Sequence, residues 1–376
     1  MSAKKITIVA KAFYPDNSPR SFRATELAKQ FAKEGHQVTV FINEKDFDYT
    51  EFEREHNLTI KSYGRLKFKP LRSNGTRIGE MKRKLGRLLF MLMDYPNIEI
   101  TWKVKAALKN LEKQDLLISI AVPYAVHWGV AWARTKENPL AKVWAADCGD
   151  PFMGNTLESF RYPFYFSFLE KWFCRKAEYL TVPTAGAIDS YYKEFHGKIR
   201  VIPQGFNFKD VEITPGEVRN EVPTFAYSGG IAQTGVRSPF PLLNLLSKTD
   251  KNFVFHIYAT NNHHLLENKL ADYGGRVVLH KAVPRKELLA HLAKMDFLVN
   301  LDNGTSHQVP SKLIDYSLTG RPILNIQPAH PDPALINEFL NGDYSRQWVL
   351  KNLQDYDITN VCKSFLNLAN AEINGE

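Results

Sequence analysis

The chain has 376 residues, of which 44% are hydrophobic and 24% charged, a composition typical of globular proteins with sizeable cores. Single cores rarely grow beyond about 250–300 residues, so the length favours two domains. The three cysteines are widely spaced, which argues against a disulfide framework or a zinc site and fits a reducing compartment. The net charge of +9 is concentrated between Lys61 and Arg87.

The first half of the chain alternates predicted strands and helices. A β-rich run at 5–11 is followed by apolar residues from Ala24 to Ala32 at helical spacing, and Gly35 can end that helix. Residues 37–42 form the next predicted strand. This strand–helix–strand unit predicts a parallel sheet with a right-handed crossover. Later strands of the same sheet are predicted at 116–121, 142–146 and 179–183.

One apolar segment, 116–133, is nearly long enough to cross a bilayer. Pro123 divides it into a strand-like half and a helix-like half, so we predict a buried strand–turn–helix instead. The N-terminal sequence lacks the apolar core of a signal peptide. We therefore expect a cytoplasmic protein.

A basic segment, 61–93, carries most of the excess charge. Ten Lys and Arg residues stand between Lys61 and Arg87 with Glu80 as the only acid, and an apolar run, 88–93, follows. Such a pattern suits an anionic membrane surface, which implies peripheral attachment at the inner face of the plasma membrane. A solvated basic loop before a core helix explains the pattern equally well. Nucleic acid is not expected as a partner, because the segment has few aromatic residues and no recognised binding motif.

The second half repeats the alternation and predicts a second doubly wound α/β domain. Strands are predicted at 224–228, 253–259, 276–280, 296–301 and 322–326, and helices at 242–246, 265–272, 285–294 and 309–319. We expect a first domain over 1–205 and a second over 206–376, with a last helix at about 357–372 that can pack back on the first domain. Ligands of open α/β sheets bind at the carboxyl ends of the strands, so the two domains should face each other across a cleft.

The segment 309–324 has the pattern of a helix that begins at an anion site. Pro310 suits the first helical turn, Ser311 can bond a free N–H there, and Gly320 supplies a left-handed end. The free N–H groups and the partial positive charge of such a helix start can bind a diphosphate, with Lys312 adding charge. Asp315 shares an edge of the helix with Ser311. A helix that only packs is the alternative.

The same segment, VPSKLIDYSLTGRPIL, resembles the P-S-K-x-x-E-Y-x-x-x-G-K/R-P-I/V pattern of retaining GT-B glycosyltransferases of family four. Other stretches resemble this family in the same order, and 146–152 resembles subgroups that build bacterial surface polysaccharides. These other stretches are 13–15 with Arg20, 35–38, 200–207 and 225–230. The resemblance implies a GT-B fold of two Rossmann-like domains.

The resemblance also implies a donor site in the second domain. Asp315 takes the place of a Glu that contacts the nucleotide ribose, and His307 stands where the family has a Glu against the donor sugar. The Arg and Lys that follow the family's glycine turn are replaced near Gly230 and Thr234. Arg237 is the candidate substitute that would balance the leaving diphosphate.

Three further positions complete the implied donor and acceptor sites. The backbone N–H groups of Gly229 and its neighbour can approach phosphate closely, and Val283 should lie near the nucleobase. Arg20 is assigned to the acceptor side, and Asp150 and His127 join His307 as candidate catalytic residues. Structural roles are the alternatives. His127 can be a packed core histidine, Asp150 can cap a helix, and Arg20 can form a surface ion pair.

The implied reaction moves a hexose from a nucleotide-diphosphate sugar to a glycan or polyprenyl-linked acceptor, with retention, in cell-surface polysaccharide biosynthesis. No cofactor is expected, and no metal is required. Two alternatives stay open. One, favoured because three expected charged positions are altered, is a non-catalytic GT-B homologue that acts as a binding or scaffold subunit. The other is a nucleotide-sugar 2-epimerase.

Overall fold

The structure is a computed structural model that describes residues 2–72, 74–154, 162–209, 220–302, 304 and 311–370. The chain divides into two compact units. The first comprises Met1–Phe206 and Asp355–Glu376, and the second comprises Asn207–Gln354. Each unit contains its own parallel sheet.

The first unit is built on a sheet of seven strands within the described ranges. The strands are β1 (Lys5–Ala10), β2 (Gln37–Ile42), β3 (Thr59–Ser62), β4 (Gln114–Ala121), β5 (Ala141–Cys148), β6 (Tyr179–Val182) and β7 (Ile199–Val201). Their order is β3-β2-β1-β4-β5-β6-β7. Val9 of β1 stands between Phe41 of β2 and Ser119 of β4. The winding direction therefore reverses between β1 and β4, where open α/β sheets form a ligand crevice.

Helices cover both faces of this sheet. They are α1 (Pro19–Lys33), α2 (Thr50–His56), α3 (Arg77–Met93), α4 (Glu99–Leu108), α5 (Ala125–Ala133) and α6 (Phe166–Lys176). Ser18 caps α1 by accepting the N–H of Ser21, and Gly35 follows its end at a φ of 85°. A Cβ on Gly129 would stand 2.7 Å from Val104 Cβ, so glycine allows α5 to pack closely on α4. Gly35 ends α1, as the sequence predicts.

The second unit has a five-stranded sheet within the described residues. Its strands are β8 (Thr224–Gly229), β9 (Val254–Ala259), β10 (Val277–Lys281), β11 (Phe297–Leu301) and β12 (Ile323–Ile326), and its helices are α7 (Phe240–Leu246), α8 (His264–Glu267), α9 (Arg285–Leu292), α10 (Ser311–Thr319) and α11 (Pro333–Leu340). The strand order is β10-β9-β8-β11-β12, so the reversal falls between β8 and β11. Phe225 stacks on Phe255 and Phe297 at centroid distances of 4.7 and 4.5 Å, which anchors the core.

The last helix, α12 (Ile358–Asn370), belongs to the first unit. Val361 and Phe365 are fully or almost fully buried in the cluster that also contains Leu27 and Phe31 of α1. The backbone of Phe206 bonds to Tyr356 and Ile358 at 2.8 and 2.9 Å. These bonds hold the chain's last segment against the point where the first unit ends.

The predicted α/β class with two doubly wound parallel sheets is confirmed. The segment 116–133 forms β4 and α5, as the strand–turn–helix prediction requires. Among the described residues, no helix combines the length and the apolarity that a bilayer crossing needs.

Candidate functional site

The turn after β8 is tightly packed. Gly229 has a φ of 146°, which side-chain-bearing residues rarely adopt. A Cβ on Gly230 would stand 3.1 Å from Asn261 Oδ1 and 3.6 Å from Arg237 Nη1. Asn261 Oδ1 also accepts the next backbone N–H of the turn at 3.0 Å, and Tyr227 Oη donates to the Gly230 carbonyl at 2.8 Å. The backbone therefore favours glycine at Gly229, and the Arg237 guanidinium lies beside Gly230.

A second cation stands at the start of α10. The Nζ of Lys312 lies 4.7 Å from the centroid of the Tyr227 ring. Burial lowers the pKa of Lys312 to about 8, the positive charge of Arg237 acts in the same direction, and Asp302 opposes both. The ion pairs among the described residues of this unit are Arg285–Asp315, Arg346–Asp332 and Arg346–Glu338. Arg237 and Lys312 together form a cluster of two cations. Within the described chain, neither of them has a carboxylate within 4.0 Å, so the cluster suits a bound anion.

Asp315 is held by a residue that sequence reasoning missed. Arg285, the first residue of α9, donates Nε and Nη2 to Asp315 Oδ1 at 3.0 and 2.6 Å. Burial raises the pKa of the Asp315 carboxyl, and the hydrogen bonds and charge of Arg285 act in the opposite direction. The pair orients the carboxylate at the edge of α10. The only sequence signal for Arg285 is its place at a helix start, two residues after Val283.

The other predicted donor residues fall in this neighbourhood or outside the described chain. Val283 is half-buried and packs against the cluster that contains Tyr258 and Leu292. Ser311 is the first residue of α10, and Tyr316 Oη ties that helix to β8 by accepting a backbone N–H at 2.8 Å. His307 lies outside the described residues.

The structure brings Arg20 and Asp150 together in the first unit. Arg20 Nη2 donates to Asp150 Oδ2 at 3.1 Å, and both side chains are partly exposed. The Arg20 guanidinium lies directly over Gly149, where a Cβ would overlap it. The carbonyl of Asp150 accepts a hydrogen bond from Tyr124. These contacts fix an Arg–Asp pair at the carboxyl end of β5.

A buried ion pair lies one helical turn away. Arg23 Nε and Nη2 donate to the two carboxylate oxygens of Asp147 at 3.0 and 2.9 Å, and Thr181 Oγ1 donates to Asp147 at 2.7 Å. Burial opposes ionisation of Asp147, but the Arg23 charge and these hydrogen bonds outweigh it and lower its pKa. Arg23 also donates to the carbonyls of Ile202 and Pro203. The pair positions the residues around Arg20, and Asp147 lies in the segment 146–152, which resembles that of polysaccharide-building subgroups.

His127 has no exposed surface. Its Nδ1 is 2.7 Å from Ser119 Oγ and its Nε2 is 3.6 Å from Cys148 Sγ. Burial lowers the pKa of His127 to about 3, with Asp147 acting in the opposite direction. The ring is therefore neutral near pH 7, as a packing role requires, and its catalytic role stays a prediction.

Metal ligands are not clustered in the described part of the chain. No group of three or more His, Cys, Asp or Glu residues stands there in an arrangement that could hold a metal ion.

The sequence matches no protein-family model and no curated protein. Solved structures do match. A glycosyltransferase from Rickettsia africae ESF-5 superposes with a TM-score of 0.66 at 10% identity, over 99% of this chain and 100% of that chain. The apo form of the lipopolysaccharide outer core galactosyltransferase WaaB gives 0.62 at 12% identity, over 97% and 98%. A trehalose-6-phosphate structure from E. coli, bound with UDP-2-fluoro glucose, gives 0.62 at 13% identity, over 97% and 99%.

The chain has the GT-B fold. The identities are low, so the likeness establishes the architecture alone.

Proposed function

We propose that the chain is a glycosyltransferase that takes its sugar from a nucleotide-diphosphate donor bound by the second unit. The cluster of Arg237 and Lys312 beside the Gly229–Gly230 turn carries this proposal. Both cations lie at the carboxyl end of β8, beside the start of α10, and lack a carboxylate partner among the described residues. A diphosphate would supply the missing counter-charge and accept hydrogen bonds from the turn.

The proposed mechanism relies on positioning and electrostatic stabilisation. As the sugar leaves the donor, negative charge develops on the diphosphate, and the two cations stabilise it. Asp315, oriented by Arg285, would bind the ribose. We propose retention, in which the leaving phosphate helps to take the acceptor proton, because the segment 309–324 resembles that of retaining enzymes. No metal takes part in this proposal.

The donor proposal is tested by thermal unfolding of the full chain with UDP, GDP, CDP and dTDP. At least one nucleotide should raise the melting temperature, because a ligand that binds only the folded state stabilises it. Lys312→Met should remove most of this shift. Lys294→Met deletes an exposed lysine after α9 and is the matched control, so it should keep the shift. Failure of all four nucleotides to stabilise the protein would contradict the proposal.

Product analysis separates this function from its alternatives. A glycosyltransferase releases nucleoside diphosphate only in proportion to the glycosylated acceptor. An epimerase would convert the donor sugar without an acceptor. A scaffold subunit would yield no product from any donor.

We also propose that the first unit rests on an anionic membrane surface through α3. Gly79 is the only buried residue of this 17-residue helix. Apart from Met93, the exposed large apolar side chains of α3 recur at spacings of three and four, on one face. They are Ile78, Met81, Leu85, Leu88 and Leu92.

Basic side chains accompany this apolar face. They are Arg77, Lys82, Arg83, Lys84 and Arg87. An apolar stripe beside clustered cations suits the interface of an anionic bilayer, where each basic residue near the surface adds about 1 kcal/mol. Tyr165 donates to the Leu92 carbonyl, and the neighbouring Phe164 and Phe168 are exposed by 76% and 65%. These aromatic rings extend the surface, which favours peripheral attachment at the inner face of the plasma membrane and a lipid-linked acceptor.

A further inference from the structure

The first unit contains a cavity of about 520 Å³ that the sequence motifs do not mark. Its lining includes Lys11 after β1, Asn43 after β2 and Pro123 after β4. The cavity therefore lies at the carboxyl ends of adjacent strands, where the winding of the sheet reverses. This is where open α/β sheets bind ligands, and the volume is in the range of small-molecule sites.

Lys11 is the unusual member of this lining. Its Nζ donates to Asn97 Oδ1 at 2.8 Å, and it forms none of the ion pairs found among the described residues. Asn97 Nδ2 in turn donates to Asp94 Oδ1 at 3.1 Å, so a neutral amide separates the amine from the carboxyl. Burial lowers the pKa of Lys11, and the charges of Asp94 and, to a smaller extent, Asp16 act in the opposite direction. Burial raises the pKa of Asp94 to about 7. Asp94 is therefore only partly ionised near pH 7 and gives Lys11 an incomplete counter-charge.

The second amine of the cavity is already neutralised. Lys45 Nζ lies 2.6 Å from Asp16 Oδ2 and donates to the Phe13 carbonyl at 2.8 Å. The unmatched charge in the lining is thus that of Lys11. A half-buried ammonium without a carboxylate is costly to desolvate, and an anion that enters the cavity offsets this cost.

We propose that this cavity binds an anionic group of the acceptor, a phosphate or a carboxylate, with Lys11 as its counter-ion and Asn97 orienting the amine. The inference rests on the proposed transfer reaction, since it names the chemical class of the acceptor. The segment from Asp94 to Asn97 directly follows α3, so a helix on the membrane would bring a lipid-borne phosphate near the cavity. An acidic sugar would present the same chemistry as a carboxylate.

The test is calorimetric titration of the full chain with inorganic pyrophosphate and, separately, with D-glucuronate. Lys11→Met should weaken anion binding at least about tenfold, the loss expected for one charge-assisted contact. Asn97→Asp should do the same while keeping the fold, because it supplies an internal anion to Lys11. Lys142→Met is the matched control, since Lys142 pairs with Asp115 at the amino end of β5 and lies outside the cavity lining.

The two anions distinguish the sources. Because the proposed donor site can also bind pyrophosphate, the cavity's share is the binding that Lys11→Met loses and Lys312→Met retains. Such binding of pyrophosphate alone indicates a phosphate-bearing acceptor, of glucuronate alone an acidic sugar, and of both a general anion site. Lys312→Met serves as a second reference, because it should weaken nucleotide binding in the other unit and leave the cavity's anion affinity unchanged. In the Lys312→Met protein, equal anion affinity with and without the added Lys11→Met change, or no binding of either anion, would overturn the inference. Nucleotide binding in the same variants reports separately on the proposed donor site.

Discussion

At the scale of single residues, buried carboxyls show how environment sets protonation. Asp94 is 4% exposed, and burial raises its pKa to about 7, against the hydrogen bond from Asn97 and the charge of Lys11. Glu170 has no exposed surface, and burial raises its pKa to about 7 as well. Asp147 is equally buried, yet the paired Arg23 lowers its pKa. A cation that is bonded directly to the carboxylate, as Arg23 is to Asp147, therefore decides whether the pKa of a buried carboxyl is lowered or raised.

Asp94 makes a testable contribution to the pH dependence of stability. Its raised pKa means that the folded state binds the proton more tightly, so this contribution is complete below pH 4 and is lost as pH rises to about 7. The slope is about 1.4 kcal/mol per pH unit, so the wild type should lose about 2–3 kcal/mol between pH 5 and pH 8. Asp94→Asn should remove this loss, and asparagine tolerates the residue's φ of 52°. Urea unfolding of both proteins at the two pH values measures the free energy of unfolding. The same loss of stability in wild type and Asp94→Asn would contradict this prediction.

Gly149 tests the role of the Arg20–Asp150 pair. Gly149→Ala places a methyl group where the Arg20 guanidinium lies and displaces that flexible side chain. The pair is partly exposed, so the stability cost should stay below about 1 kcal/mol. We expect kcat/KM for the acceptor to fall at least about tenfold while the Kd of the nucleotide is unchanged. Arg20→Met should reproduce the effect, and normal turnover in both variants would assign the pair a structural role only.

The sequence predicts some of these contacts and not others. The resemblance assigns Arg20 to the acceptor side and makes Asp150 a candidate catalytic residue, and the structure joins the two at 3.1 Å. The Arg285–Asp315 pair links two helices 30 residues apart, and the Lys11–Asn97 bond spans 86. Such pairings depend on how elements pack, which local patterns do not report.

At the scale of elements, apolar periodicity located the long strands and failed for short edge elements. The strand 37–42 was predicted to the residue, whereas β3 and β7 were missed. β3 has four residues, three of them exposed, and β7 has three, so neither carries an apolar run. The prediction of one regular helix over 265–272 was wrong, because the structure has the short α8 followed by a 3₁₀ turn, Leu270–Tyr273.

Helix α3 carries the prediction that belongs to this scale. Leu85→Gln together with Leu88→Gln should weaken binding to vesicles with anionic lipid more than about tenfold, since burying each leucine is worth about 1.5–3 kcal/mol. Thermal stability should hardly change, because both side chains are about half exposed. Val349→Gln, which replaces an exposed apolar residue of the second unit, is the control.

Wild-type binding to these vesicles should also weaken with added salt and be weaker to neutral lipid. Vesicle flotation measures all of these quantities. Equal binding to neutral and anionic vesicles would remove the electrostatic part of the proposal, and unaffected binding by the double variant would remove the apolar part.

At the scale of the whole molecule, strand–helix alternation was enough to predict two doubly wound sheets. It does not decide which sheet the last helix covers. The spacing of the apolar residues of α12 indicates a helix with one buried face. The structure shows that this face lies on α1 and the first sheet. The chain thus closes its first unit with residues from its far end.

Phe365 tests that closure. Its ring is fully buried, with the Arg23 guanidinium 5.3 Å from its centroid. Phe365→Ala should destabilise the first unit by about 3–5 kcal/mol, while Phe365→Leu costs less because it leaves a smaller cavity. Nucleotide binding by the second unit should persist in both variants. Chemical denaturation followed in parallel with nucleotide binding measures this, and loss of both signals together would show that the two units are not independent.

The central claim is that Arg237 and Lys312 form a diphosphate site, and proton uptake on binding tests it most directly. With a pKa of about 8, Lys312 is about half protonated at pH 8. A bound diphosphate favours the charged amine, so binding should take up as much as about half a proton. Calorimetry at pH 8 in two buffers of different ionisation enthalpy measures this uptake, which Lys312→Met should abolish and Lys294→Met should retain. No uptake by the wild type, or the same uptake in Lys312→Met, would contradict the account.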